Sequence, residues 1–292
     1  MRELKMFEHK SSGLLITFCG LDGCGKTTMI EMLTKRLSEE KDVFLTKQPT
    51  QFVRNSDIFR NYMDSEEHGD YEYRSLSLLA ASDRVQHVNK VILPQLKNSK
   101  TVISDRYFYS CLANLRARGY KKDCWIYDVS KAIAKPDVAF FLDVPVDVAI
   151  SRVRSRQEEK DRYIDLELQH RLRQEYIDIC NANNGVLLST EQSPEDTFDK
   201  VMCEVNRVLS QRNGVDKRVF DILSELSSVE VNDLSQSLAS DIGLDSLGLV
   251  TLLLQLEEEF GICFDESDMN PYDLTDAGDV VALVKKYGVG KK

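Results

Sequence analysis

The 292-residue sequence predicts two folds in succession: an α/β domain, a parallel sheet with helices on both faces, followed by a small all-α bundle. Three observations carry this. Short apolar runs alternate with helix-length segments through the first two thirds. A glycine-rich loop separates the first run from the first helix. The last quarter loses its strand-like runs and changes charge, with 16 acidic and 6 basic residues from Val215 onward and an even balance before it.

Leu14 to Cys19 (LLITFC) is the first predicted strand and opens into Gly20. Thr27 to Ser38 then places Met29, Ile30, Leu33 and Leu37 at helical spacing. Val43 to Thr46, Thr101 to Ser104 and Val138 to Leu142 are further short apolar runs bounded by charged or turn residues. Val186 to Ser189 follows Asn183, Asn184 and Gly185 and reads as the last strand, and Phe198 to Leu209 as the last helix of the domain. Buried strands alternating with helices imply a parallel sheet covered on both sides. At Gln211 to Val215 the chain turns polar, which sets the expected domains at 1–212 and 213–292. Beyond it, Val219 to Leu226, Ser246 to Phe260 and Ala277 to Tyr287 read as helices.

Composition narrows the function. With 42% hydrophobic and 29% charged residues, both parts can bury a core. No segment approaches the ~20 apolar residues that cross a bilayer, and Met1 to Lys10 lacks the apolar run of a secretion signal, so a cytoplasmic protein without a membrane partner is expected. Seven cysteines without paired C-x-x-C spacing argue for reduced thiols, mostly in the core, rather than disulfides or zinc. A neutral first part and an acidic second part argue against nucleic acid, which needs a basic surface, and suit basic protein partners.

Gly20, Gly25, Lys26 and Thr27 fit G-x-x-x-x-G-K-[ST] between a predicted strand and a predicted helix. Glycines let the backbone N–H groups of such a P-loop curl around phosphate oxygens at a helix N-terminus. Lys26 then reaches the β and γ phosphates of ATP, and the Thr27 hydroxyl is placed to ligate Mg²⁺. Asp105 and Arg106 stand at the carboxyl end of a predicted strand, the edge where open parallel sheets bind ligands. There Asp105 suits a metal or proton and Arg106 a transferring phosphoryl group. Arg152, Arg154, Arg156 and Arg162, interrupted by Glu158 and Glu159, suit either a lid that closes over ATP or a solvated helix face.

These pieces together resemble thymidylate kinases over about the first 210 residues. The resemblance rests on Gly20-Leu21-Asp22-Gly23-Cys24-Gly25-Lys26-Thr27-Thr28, Thr46-Lys47-Gln48-Pro49, Ser82-Asp83-Arg84, Asp105-Arg106-Tyr107 with Ser110, and Pro136-Asp137 leading into Leu142-Asp143-Val144-Pro145. It implies ATP bound by Gly20 to Thr28, Mg²⁺ at Thr27 and Asp105, and dTMP as default acceptor. Asp22 would face the acceptor's sugar, Arg84 its base, Arg106 and Lys47 its phosphate, with Ala80, Ser110 and Asn114 lining the same site. Gly23 and Cys24 stand where some members carry arginine, so the chain is similar to the subgroup whose lid supplies it, here Arg154 and Arg162 beside Lys26, Asp105 and Arg106. A homodimer through this domain is implied as well.

The departures concern the acceptor. Ala80 replaces a phenylalanine that stacks on thymine in the family, Asn114 replaces an aromatic beside the sugar, and Gln48 replaces a common glutamate. One lost stacking platform is worth roughly 1–3 kcal/mol. A non-thymidine or carrier-tethered acceptor therefore stands beside dTMP.

Ile242-Gly243-Leu244-Asp245-Ser246-Leu247-Gly248-Leu249-Val250, continuing through Leu256-Glu257-Glu258-Glu259-Phe260-Gly261, resembles acyl and peptidyl carrier proteins over about 70 residues. The resemblance implies a small all-α carrier helical bundle with 4'-phosphopantetheine on Ser246, which caps its helix. It also implies a phosphopantetheinyl transferase and acyl-loading or biosynthetic enzymes as partners. Two function classes remain open: a kinase joined to a carrier, and a carrier whose P-loop domain binds ATP without turnover.

Overall fold

The computed structural model describes residues 2–64, 71–157, 163–265, 268, 270 and 273–287. The chain divides into two compact units, Gly13–Glu204 with Met1–His9, and Val205–Lys292 with Lys10–Ser12. The elements of the first unit are β1 (Leu14–Cys19), α1 (Lys26–Leu37), β2 (Val43–Lys47), α2 (Gln51–Arg54), α3 (Asp57–Asp64), α4 (Tyr73–His87), α5 (Leu93–Lys97), β3 (Thr101–Asp105), α6 (Phe108–Ala117), α7 (Trp125–Val129), β4 (Val138–Asp143), α8 (Val146–Arg154), α9 (Leu166–Ala182) and β5 (Val186–Ser189). Helix α10 (Pro194–Ser227) belongs in part to each unit, and α11 (Ser246–Phe260) and α12 (Ala277–Lys286) complete the second.

Five parallel strands stand in the order β2-β3-β1-β4-β5. The three central strands are the apolar runs of the sequence, and β1 is buried at every position, as a strand covered on both faces must be. Phe18 and Phe140 are register partners on β1 and β4, and their rings stack 5.0 Å apart. Strand β1 lies between β3 and β4, so the chain switches sides of the sheet there, and the carboxyl ends of β1 and β3 are the edge at which open parallel sheets place a ligand crevice.

The polar stretch at Gln211 to Val215 does not end a helix as the sequence suggested. Helix α10 continues through it, because no proline interrupts the segment and a single glycine costs only about 1 kcal/mol in a helix of 34 residues.

The second unit buries Val219, Leu223, Leu252, Leu256, Val280 and Val284 in a core of its own drawn from α10, α11 and α12. Ion pairs Arg218–Glu259 and Lys285–Asp216 tie α11 and α12 to α10. Asp245, not Ser246, is the N-cap of α11: its carboxylate accepts from the Gly248 N–H at 2.8 Å. A carboxylate is a strong cap at the positive end of a helix, and its use leaves Ser246 as the exposed first helical residue.

Four of the seven free cysteines, Cys19, Cys24, Cys111 and Cys180, are buried and three are exposed. Burial pushes the Cys19 thiol up to about 11 and the Cys180 thiol up to about 12, which keeps both as inert thiols.

The Tyr107 hydroxyl, fully buried, donates to the Ala134 carbonyl at 2.7 Å. Tyr107→Phe orphans that carbonyl and is expected to destabilise the first unit by about 1–3 kcal/mol. Urea unfolding followed by the single tryptophan, Trp125 of α7, measures this, and an unchanged midpoint would contradict the role.

Candidate functional site

The loop between β1 and α1 is shaped by glycines at positive φ: Gly20 at 138°, Gly23 at 82° and Gly25 at 90°. A Cβ on Gly23 would lie 2.2 Å from the Ala149 carbonyl oxygen and one on Gly20 2.4 Å from that of Leu142, so both conformation and space demand glycine. Lys26 is buried, and its Nζ donates to the Leu21 carbonyl at 2.6 Å and the Gly20 carbonyl at 3.2 Å. Thr27 and Thr28 are exposed at the mouth of the loop.

Arg106 converges on the same loop from β3. Its Nη1 donates to the Gly20 carbonyl at 3.2 Å and to the Tyr176 hydroxyl at 3.0 Å, and its Nη2 pairs with Asp22 at 2.5 Å. Tyr176 in turn donates to Ser110 at 3.1 Å. Ser110, expected to line the acceptor site, is buried behind Arg106 and supports it through Tyr176. Lys47 and Asp105 are register partners on β2 and β3 and form an ion pair at 2.8 Å. The other oxygen of Asp105, Oδ1, is buried without a hydrogen-bond partner among the described residues.

The Asp83-Arg84 step of α4 has two roles. Asp83 accepts from the Thr50 N–H at 2.9 Å and from its hydroxyl, fixing the turn before α2. Arg84 is buried, donates Nη1 to the Ala80 carbonyl at 2.8 Å, and leaves Nε without a partner among the described residues. Ala80 packs against the small cluster of Val53, Tyr62 and Leu76. Asn114 donates to the Ser110 carbonyl at 2.9 Å and accepts from Arg118 at 2.7 Å.

The arginine-rich stretch divides. Arg152 donates to the Thr190 carbonyl at 2.8 Å and ties α8 to the loop after β5, a structural contact. Arg154 and Arg156 are exposed, and Arg162 lies outside the described residues, as do Glu158 and Glu159.

Sequence reasoning missed Arg54, Tyr176, Tyr73 and Arg118. Arg54, at the end of α2, donates to the Pro49 carbonyl at 2.8 Å. Burial, then the like charge of Arg106, lowers its pKa, and Asp105, Asp22 and Arg84 also act on it, which puts Arg54 in the same charged cluster. No motif or regular spacing marks these four; the turn before α2 and the packing of α4, α6 and α9 bring them in.

A P-loop whose lysine and a strand-end arginine meet on one carbonyl, at the switch point of a parallel sheet, defines a nucleotide-binding phosphotransferase fold. The thymidylate kinase family model matches residues 18–201, and a phosphopantetheine attachment site model matches residues 217–284. A Thermococcus kodakarensis protein named "Probable thymidylate kinase" is 37% identical over 205 residues, which is 68% of this chain and all of that protein. One of the same name from Pyrococcus abyssi is 36% identical over 68% of this chain and 98% of its own length, and one from Methanococcus maripaludis 31% identical over 64% and 92%. The chain belongs to the thymidylate kinase family through its first 200 or so residues, is a phosphotransferase, and carries a phosphopantetheine-attachment domain behind them.

Residues under the loop set a pH dependence. His87 is buried and bonded to Thr46 at 2.8 Å and Gln48 at 3.0 Å. Burial lowers its pKa, with Asp83 opposing and Arg84 assisting. A histidine held neutral contributes stability that is fully present above its unfolded pKa of about 6.5 and is lost as pH falls from there towards the lower folded value. Wild type minus His87→Gln melting temperatures are expected to fall below about pH 6.5; a difference that stays flat from pH 8 to 5 would remove His87 as the cause.

Proposed function

We propose that the first unit catalyses ATP- and Mg²⁺-dependent phosphoryl transfer to a phosphorylated acceptor, with dTMP giving dTDP as the family default and a non-thymidine or carrier-tethered acceptor as the alternative, and that the second carries 4'-phosphopantetheine on Ser246. The observation that carries the kinase reading is the meeting of Lys26 Nζ and Arg106 Nη1 on the Gly20 carbonyl, each at 3.2 Å. It puts two fixed cations at the crevice where donor and acceptor phosphates must approach.

The residues present fit both bound groups. Gly20 to Thr28 supply backbone donors for ATP phosphates at the start of α1, and Lys26 adds a fixed charge. The exposed Thr27 hydroxyl and the unpartnered Oδ1 of Asp105 would hold Mg²⁺, with phosphate and water completing its shell. When bound, Mg²⁺ supplies charge neutralisation between the phosphates. Asp22 keeps Arg106 directed at the acceptor phosphate, Lys47 and Arg54 surround it, and Arg84 with Ala80 and Asn114 lies further along the acceptor. Arg154 and Arg162 are assigned to the lid and add charge to the transferring group. No lining aromatic stands at Ala80 or Asn114, which favours an acceptor other than thymidine over dTMP itself.

At the carrier, Ser246 is exposed at the start of α11, beside exposed Leu247, Val250 and Leu254 on the same helix. That suits modification by a phosphopantetheinyl transferase and docking of acyl-loading or biosynthetic enzymes. A cytoplasmic homodimer formed through the kinase domain completes the proposal; no helix among the described residues is long and apolar enough to cross a membrane.

ADP release from the full chain with Mg-ATP, with dTMP, other nucleoside monophosphates or no acceptor, tests the kinase. Acceptor-dependent release is expected, reduced at least about 100-fold in Lys26→Ala and in Arg106→Ala. ATP binding with no release for any acceptor would favour a carrier with a regulatory nucleotide site. Incubation with coenzyme A and a phosphopantetheinyl transferase is expected to add one phosphopantetheinyl mass to wild type and none to Ser246→Ala. Equal labelling of both would move the attachment site elsewhere.

A further inference from the structure

Helix α6 links the phosphate end of the acceptor crevice to a second cationic end. Ser110, Asn114 and Arg118 recur every four residues along one face, and Arg118 lies about 12 Å of helix rise beyond Ser110. At the near end Ser110 backs Arg106 through Tyr176. At the far end Arg118 is held by Asn114 Oδ1 at 2.7 Å and by the Tyr62 hydroxyl at 3.3 Å, with its guanidinium carbon 4.1 Å from the centre of the Tyr73 ring. Tyr73 and Tyr62 pack on each other at 5.1 Å, and both belong to the cluster on which Ala80 sits.

Arg84 enters the same place from α4. Both Arg118 and Arg84 act electrostatically on the Tyr73 hydroxyl, whose pKa is raised overall by burial. Among the described residues no carboxylate pairs with either guanidinium; their partners are carbonyls, an amide, a phenol and ring faces. Arg84 also keeps a buried Nε–H unpaired. Two partly or fully buried cations without an anion, one with a spare donor, form an incomplete arrangement that an anionic oxygen group would complete.

We infer that the acceptor carries an anionic group, a carboxylate or a phosphate, at the end opposite the one that receives the phosphoryl group, held by Arg84 and Arg118 beside Tyr73. The inference rests on the kinase reading and names the acceptor class of that site: a molecule with two acidic ends rather than one acidic end and a neutral base. Ala80 and Asn114 then have a positive role. Ala80 leaves room for the Tyr62–Tyr73 pair, and Asn114 supplies the carbonyl that orients Arg118, which an aromatic could not do.

The test measures binding to the full chain with the donor site filled by Mg²⁺ and a non-hydrolysable ATP analogue. Three series of linear probes of increasing length are compared by calorimetry: alkylphosphonates, α,ω-alkyl bisphosphonates and ω-carboxyalkylphosphonates. A doubly acidic probe of matching length is expected to bind about 10-fold or more tightly than the alkylphosphonate of the same length. The gain should peak at one chain length and disappear in Arg118→Gln. Whether the bisphosphonate or the carboxylate series shows the larger gain identifies the anion. Equal binding of singly and doubly acidic probes at every length in the wild-type protein overturns the inference without recourse to any variant, as does no binding of any probe. The kinase reading fails separately, on absence of ADP release with every nucleoside monophosphate and every doubly acidic probe offered as acceptor.

Discussion

The conformation of Arg106 is the constraint on which the site depends. Its φ of 67° is a left-handed conformation that costs a non-glycine residue about 1–3 kcal/mol, so it persists only where the surroundings hold it. Here five contacts do. Its N–H donates to Phe18 of β1 at 2.8 Å, its carbonyl accepts from Ser104 at 2.7 Å, and its guanidinium reaches Gly20, Asp22 and Tyr176. An arginine continuing in strand geometry would carry its side chain across the sheet face. The turn instead sends it over the end of β1, where the P-loop begins. One strained residue thus joins the two halves of the crevice, and the buried relay through Tyr176 and Ser110 fixes it from below.

Most of the α/β unit was legible in the sequence because its three central strands are buried on both faces and the two edge strands are still short apolar runs between turn residues. β1 and β5 coincide with the predicted runs, and β2, β3 and β4 each extend one residue further, to Lys47, Asp105 and Asp143. Those three residues are charged, so an apolar pattern stops before them, although the ladder still pairs Lys47 with Asp105 and Asp143 with Ser189. Functional groups stand at this edge because it is the first place along a buried strand where charge reaches solvent. The P-loop and Asp105-Arg106 were legible for the same reason: each is a local sequence pattern at a strand end. Arg54, Tyr73, Arg118 and Tyr176 were not, since each reaches the site from a helix or turn through long-range packing. Helix α10 was misread at Gln211 to Val215, where polarity marked a change of composition and not a break in the backbone.

The second unit shows how a local cap divides labour between two adjacent residues. Asp245 satisfies the Gly248 N–H and places negative charge at the positive end of α11. Had Ser246 served as the cap, its hydroxyl would have been tied to that backbone donor. With Asp245 in the role, Ser246 stands on the first turn with its hydroxyl exposed, the state a modifying enzyme requires. The core behind it comes from leucine and valine spacing on three helices, so the position of Ser246 rests on ordinary helical packing.

The proposed acceptor site has two ends that differ in how their cations are partnered. At the phosphate end each cation has a carboxylate or loop carbonyl beside it: Arg106 has Asp22, Lys47 has Asp105, Lys26 has Gly20 and Leu21, and Arg54 has Pro49. Those groups are organised before any substrate arrives, which is what transition-state stabilisation demands. At the far end no carboxylate pairs with Arg84 or Arg118 among the described residues. Burying a guanidinium without an anion is costly, and apolar residues of similar volume would pack with Tyr62, Leu76 and Val53 at less cost. The replacement of aromatic stacking positions by Ala80 and Asn114 therefore did not simply empty a base pocket. On the acceptor inferred above, it exchanges a surface suited to a flat ring for one suited to charge, with the cations of the phosphate end kept in place.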